Sequence, residues 1–181
     1  MKNFGQKLAK RDFFWWAVIN PSDHSGQKFF DSEIASSHID VITYMRNAYG
    51  NRPLDFKKRG IANRGKQSVD QYMYRGMPFK DQDGRIYYAT ARDIGNYSAG
   101  YVAGTAGQGW VASRKAFDAL ESFQQGRPSK EAMVSQFAEK AGHNRGIKVY
   151  WQEQHDVQRI LQQGREHTWK RISDFFKSVF K

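Results

Sequence analysis

Cysteine is absent from the 181 residues of this chain. Disulfide staples, thiolate nucleophiles and Cys-ligated metals are therefore excluded. No run approaches the roughly 20 apolar residues that a membrane-spanning helix needs. The short catalytic signatures are missing too: there is no G-x-x-x-x-G-K-[ST] loop, no G-x-S-x-G elbow and no H-E-x-x-H pair. Those absences remove a Walker-type phosphate cradle, esterase-like acyl transfer and a helix-borne zinc pair. The five histidines, at 24, 38, 143, 155 and 167, are scattered, and the chain has neither repeats nor low-complexity segments.

Positive charge is plentiful. Lys plus Arg total 29 against 18 for Asp plus Glu, a formal charge of +11. Such a surplus attracts polyanions: nucleic acid, anionic cell-wall polymers or an anionic membrane. Aromatic residues make up 15% of the chain and hydrophobic residues 39%, enough to build the core of one folded domain.

The most unusual stretch is 91–110, ARDIGNYSAGYVAGTAGQGW, with glycine at 95, 100, 104, 107 and 109. Ile94, Tyr97, Tyr101 and Val102 keep a helical period, so the stretch reads as a glycine-rich helix. An interior Gly costs roughly 0.8–1.0 kcal/mol relative to Ala. A close approach, by another backbone or by a ligand, must compensate. Asp93, Asn96, Gly100 and Gly104 share one face of this helix. That face is a smooth groove with a carboxylate and an amide at one end. It suits a ligand, and equally a tightly packed second helix with Asp93 complementing the helix dipole.

Along the chain, residues 1–19 read as an amphipathic helix or arm whose aromatic run at 13–19 packs on the domain and is not a secretory leader. A turn-rich loop follows to Lys28. Residues 31–49 predict a helix capped by Asp31 or Ser32, with Ile34, Val41, Ile42, Met45 and Tyr49 as its stripe. Residues 51–76 form a basic segment without periodicity. A hairpin follows, Met77–Lys80 and Arg85–Thr90, turning through Asp81-Gln82-Asp83-Gly84. Beyond the glycine-rich helix, further helices are expected at Trp110–Phe123, at Lys130–Ala141 ending at Gly142, at Lys148–Gln163 ending at Gly164, and at 165–180. The last is expected to dock on the core. The fold class is mainly α with one central β-hairpin, an α+β single domain of about six helices.

Acid–base chemistry by carboxylates and a histidine is what the remaining residues allow. Asp93, Asn96, Asp55 and His155 are the candidate catalytic residues; His155 has an unperturbed pKa near 6.5. Lys57, Lys58, Arg59 and Arg92 are candidate ligands for phosphate or another anion. Tyr97 and Tyr101 are candidates for stacking, and Gly100 and Gly104 for close substrate approach. No metal ligand set or cofactor is expected, although a divalent metal stays open. A calcium loop at Asp81 and Asp83 is not supported, because the distal Glu is missing.

Asp55-Phe56-Lys57, followed by Asp93-Ile94-Gly95-Asn96-Tyr97-x-x-Gly100-x-x-x-Gly104-x-x-Gly107, resembles the polymorphic toxin type 44 domain. That family carries a Trp/Leu-Asp-aromatic-Lys segment ahead of a Gly-Asn-aromatic-x-x-Gly-x-x-x-Gly run. The resemblance spans about residues 40–145, the motif core of a toxin domain over 29–181 preceded by the arm and loop of 1–28. It implies an antibacterial toxin of interbacterial competition, secreted by a delivery machinery and paired with a cognate immunity protein. The chain would be the excised toxic portion of a longer protein or a free-standing cargo effector. The resemblance implies no chemistry. A nuclease acting in the target cytoplasm, with Asp93 and His155 as its acid–base pair, is the first expectation. A peptidoglycan hydrolase acting in the periplasm through Glu33, Asp55 or Asp93 is the alternative. A non-enzymatic membrane-active toxin is the third reading, and stable membrane insertion is not expected.

Overall fold

The hairpin and the helix after it form one continuous unit. Strands β2 (Gly76–Lys80) and β3 (Ile86–Thr90) pair antiparallel, with Gly76 opposite Thr90 and Lys80 opposite Ile86. Asp81 shapes the turn, its Oδ1 accepting the backbone N–H groups of Asp83 and Arg85, while Gly84 takes the left-handed conformation at φ +75°. A two-residue strand β1 (Lys2–Asn3) adds a parallel edge to β3. The structure is a computed structural model that describes residues 2–3, 19–61 and 69–179. Residues 13–18 of the aromatic run expected to pack as an arm, and Arg64, Gly65 and Lys66 of the basic segment, lie outside the described residues, while Ile19 forms a parallel bridge with Gly76.

Helices α1 (Ser25–Phe29), α2 (Val41–Asn47) and α3 (Val69–Met73) are short. The longer helices are α4 (Ala91–Thr105), on which α2 and α3 pack, α5 (Trp110–Gln125) and α6 (Met133–Val179). Among the described residues the architecture is thus α+β, with six α-helices and one hairpin. No helix among the described residues is long and apolar enough to cross a membrane.

Two expected elements differ. The helix predicted over 31–49 is split. A π-helical turn, Phe30–Ala35, follows α1 directly, and the chain breaks at His38, whose φ is +45°. Asp40 then caps α2, its carboxylate accepting the Thr43 N–H at 2.9 Å. The expected boundary between residues 28 and 29 accordingly falls inside α1.

The three helices expected after residue 130 are one helix, α6, of 47 residues. At a rise of 1.5 Å per residue it is about 70 Å long. Gly142 does not stop it because Gly142 faces α4. A Cβ there would stand 1.9 Å from the Tyr97 carbonyl oxygen, and a Cβ on Gly146 would stand 2.2 Å from the Tyr101 carbonyl oxygen. The reciprocal positions are as tight: a Cβ on Gly100 would meet the Glu139 carbonyl at 1.9 Å, and one on Gly104 the His143 carbonyl at 2.5 Å. The groove of α4 is therefore filled by the backbone of α6. Gly164 has nothing within 4 Å, and α6 simply runs through it. From Trp151 onward nearly every side chain is exposed, so the last part of α6 projects and does not dock on the core as expected.

The core lies under α4, between the sheet and α1. Phe30 is its hub, edge-on to Phe79, Tyr97 and Tyr101 at centroid distances of 5.6, 5.3 and 5.0 Å. Gly26 lets α1 approach α4 and the sheet, since a Cβ there would lie 2.3 Å from Ile94 Cδ1 of α4 and 2.7 Å from Met77 Sδ of β2.

Adding a methyl group at the seam forces the backbones apart, at an overpacking cost of about 3 kcal/mol or more. Gly142→Ala or Gly100→Ala is expected to lower the free energy of unfolding in urea by that amount or to abolish folding. Gly164→Ala, on an exposed helical site, is expected to stabilise by up to about 1 kcal/mol. Urea titration followed by circular dichroism compares the three variants.

Candidate active site

The turns between α2 and α3 bring Asp55 and Lys57 up against the first half of α4. Asp55 is buried; its Oδ2 accepts the Asn51 N–H at 2.9 Å. Asn51 holds the turn in a left-handed conformation, φ +65°. The aliphatic chain of Lys57 lies across Gly95, where a Cβ would stand 3.2 Å from Lys57 Cγ. Gly95 thus makes room for a lysine and not for the α6 backbone. Tyr44 anchors α2 to the same place, its hydroxyl donating to the Gly95 carbonyl at 3.0 Å. Burial raises the pKa of that phenol, with Asp55 and Glu139 adding to the effect, and keeps it a donor.

Asn96, one residue along, is buried on the side of α4 that faces this turn. A cleft opens here. Its inner part, about 40 Å³, has Glu139 of α6 among its walls, with Tyr44, Lys57 and Asn96. Its outer part, about 220 Å³, is lined by Asp55, Lys57, Lys58, Arg92 and Asn96. Lys57, Asn96, Glu121, Gln124 and Glu131 belong to both parts. Two buried atoms on the walls have no hydrogen-bond partner among the described residues: Asp55 Oδ1, an acceptor, and Asn96 Nδ2, a donor. Buried polar groups are nearly always paired, so orphans of opposite kind in one cleft mark a place prepared for a polar ligand.

Glu139 is a buried carboxyl of this cleft. It is 1% exposed and accepts a hydrogen bond from Arg114, which also contacts Glu131 at 3.2 Å and Asp118. One guanidinium thus faces three carboxylates, and the cluster takes up a proton. Burial pushes the Glu139 carboxyl up to about 10, assisted by the hydrogen bond and the charge of Glu131 and opposed by Arg114 and Lys57. Glu139 is therefore a neutral acid at pH 7, with a guanidinium ready to stabilise its carboxylate.

The other expected site residues fall elsewhere. Asp93 is the acidic half of a capping box. Its Oδ2 accepts the Thr90 N–H at 3.0 Å and the Thr90 hydroxyl at 2.9 Å, while Thr90 Oγ1 accepts the Asp93 N–H. Burial raises its pKa, and the Thr90 bonds lower it. It closes the N-terminus of α4 and lines neither part of the cleft. His155 is exposed on the projecting part of α6, so the pair Asp93 and His155 is not assembled. Arg59 turns away to Glu33 at 2.6 Å, which also takes Glu33 out of consideration. Tyr97 and Tyr101 belong to the aromatic core, and Gly100 and Gly104 lie under α6, so none of the four offers a substrate surface. Arg92 does reach the cleft, held by the Tyr74 hydroxyl at 2.7 Å and Ser135 at 3.3 Å.

Asp55, Lys57, Lys58, Arg92 and Asn96 thus come together as the sequence suggests, whereas Glu131, Glu139 and Arg114 go unnoticed there. One signal was available. Ser135, Glu139, Gly142 and Gly146 recur at helical spacing on one face, and a single carboxylate on a face of small residues marks a buried charge. Among the described residues no group of three or more His, Cys, Asp or Glu is arranged to hold a metal ion.

The raised pKa of Glu139 fixes a sign. A proton bound more tightly in the folded state makes stability fall as pH rises from the unfolded carboxylate range, near 4.5, toward 10. Glu139→Gln keeps the shape and removes the titration. Its melting temperature relative to the unaltered protein is expected to rise steadily between pH 5 and pH 9 in thermal scans. Thr90→Ala is expected to cost about 1 kcal/mol through loss of the cap. It leaves the cleft intact, and chemical denaturation measures the loss. No family model, no curated protein and no solved structure matches this chain.

Proposed function

We propose that the chain is an antibacterial hydrolase toxin that cleaves a glycan of the bacterial cell wall. The observation that carries this reading is Glu139, a carboxyl kept protonated at the inner end of a cleft that also presents the orphan oxygen of Asp55. Glycoside hydrolysis needs such a division of labour between two carboxyl groups, one protonated and one ionised.

In this reading Glu139 donates its proton to the leaving oxygen as the glycosidic C–O bond breaks. Arg114 stabilises the carboxylate that remains. Asp55 faces the positive charge that develops on the sugar, and it accepts the proton of the attacking water. The Asn96 amide donates to a sugar hydroxyl and fixes its orientation. Lys57, Lys58 and Arg92 hold the anionic groups of the wall polymer, in keeping with the +11 charge of the chain. A toxin of this type acts in the periplasm, reaches it through a delivery machinery, and requires an immunity protein in the producer.

A nuclease is the second reading, supported by the cationic rim of Lys57, Lys58 and Arg92. It would use Glu139 as the acid, because His155 lies outside the cleft.

Purified protein incubated with peptidoglycan sacculi is expected to release reducing ends. Glu139→Gln should lower that rate by about 100-fold or more, the scale of a lost general acid. His155→Ala should leave it unchanged. Intact sacculi together with degraded RNA or DNA would transfer the cleft to the nuclease reading, and neither activity would overturn the assignment of a hydrolase.

A further inference from the structure

The inner part of the cleft has a chemistry of its own. Leu54, Phe56, Ala99 and Phe117 give it apolar walls, and Asn96 and Glu139 add polar groups. Its volume is about 40 Å³. An atom the size of a water oxygen takes roughly 10–15 Å³ of such space, so the recess holds about three non-hydrogen atoms. Asn96 Nδ2 is buried and donates to no group among the described residues. An amide nitrogen carries two N–H bonds, so a sugar hydroxyl uses one and leaves the other.

These features select one kind of occupant. A hydroxyl alone would leave the walls of Leu54, Phe56 and Phe117 unfilled. A phosphate or carboxylate would be stripped of water against those walls, where Glu121 and Glu131 outnumber Lys57. The occupant is therefore uncharged, about three atoms in size, apolar at one end, and equipped with an acceptor for Asn96. An acetyl group on nitrogen has this make-up: a methyl, a carbonyl carbon and a carbonyl oxygen. We infer that the inner part of the cleft is a subsite for the acetamido group of an N-acetylated sugar. The methyl packs among Leu54, Phe56, Ala99 and Phe117, and the carbonyl oxygen accepts from Asn96 Nδ2. Where the carbon bearing that nitrogen adjoins the glycosidic carbon, seating the acetyl group also brings the scissile oxygen toward Glu139. The subsite rests on the glycan reading of the cleft and narrows it to N-acetylated chains.

Titration calorimetry on the full chain tests this, with Glu139→Gln used so that bound oligomer is not consumed. A β-linked tetramer of N-acetylglucosamine is compared with the glucose tetramer of the same linkage. Both are uncharged, and they differ at the acetamido position alone. The N-acetylated tetramer is expected to bind about tenfold tighter or more, from one buried methyl and one hydrogen bond. The N-propionyl tetramer, one carbon longer, should lose about that factor again, because the recess has no space for it. Ala99→Leu fills the recess and should abolish the preference, with circular dichroism establishing that this variant is folded. Equal affinity for the acetylated and glucose tetramers, no binding to either, or propionyl binding as tight as acetyl would overturn the inference. So would a preference that survives Ala99→Leu. Acetyl-selective binding without release of reducing ends from sacculi would keep the subsite and end the hydrolase reading. Release of reducing ends with no acetyl preference would do the reverse.

Discussion

Two helix backbones meet where four glycines leave no side chains between them, and the rest of the molecule is placed by that contact. Gly100 and Gly104 of α4 admit the carbonyls of Glu139 and His143, while Gly142 and Gly146 of α6 admit those of Tyr97 and Tyr101. Each glycine lowers intrinsic helix stability, yet together they bring two long surfaces to van der Waals contact. Because α6 is so close, Glu139 is driven below the surface and against Asn96. Because α4 is held on its other side by Phe30, Tyr97 and Tyr101, it cannot withdraw to relieve that burial. A proton-holding carboxyl is thus a consequence of backbone packing.

The two buried carboxylates show how partners decide fate. Asp93 and Glu139 are both raised by burial. Asp93 finds its donors three residues away, at the start of its own helix, and becomes a structural cap. Glu139 finds an arginine already shared with Asp118 and Glu131, and the surplus negative charge is neutralised by a proton. Local satisfaction fixes one as a cap, and frustrated sharing leaves the other holding a proton.

Local signals in the sequence were read well where the cause is local. The Asp-Gly hairpin and the glycine-rich helix depend on residues within a few positions of each other. The cleft was half legible, because Asp55 and Lys57 lie in the basic segment and Asn96 on the glycine-rich helix, both conspicuous in the sequence. Glu139 was not, because its meaning comes from α4, some forty residues earlier in the chain. Gly142 misled for a related reason. A glycine at the end of an apolar stripe looks the same whether it stops a helix or admits a neighbouring backbone, and only the tertiary partner separates the two. Asp93 misled in the opposite direction: the T-x-x-D spacing of Thr90 and Asp93 is itself a capping signature, and it outweighs a place on the groove.

The projecting end of α6 has one more consequence. Forming the first turn of a helix is the costly step, whereas each later residue adds a hydrogen bond for one further pair of fixed dihedrals. Between Ser135 and Gly146 that initiation is accomplished inside the folded domain. The remainder then grows by propagation alone, so residues that would be mostly coil as a free peptide are held as a rod. Any surface that receives this rod meets a helix whose ordering entropy was spent when the domain folded.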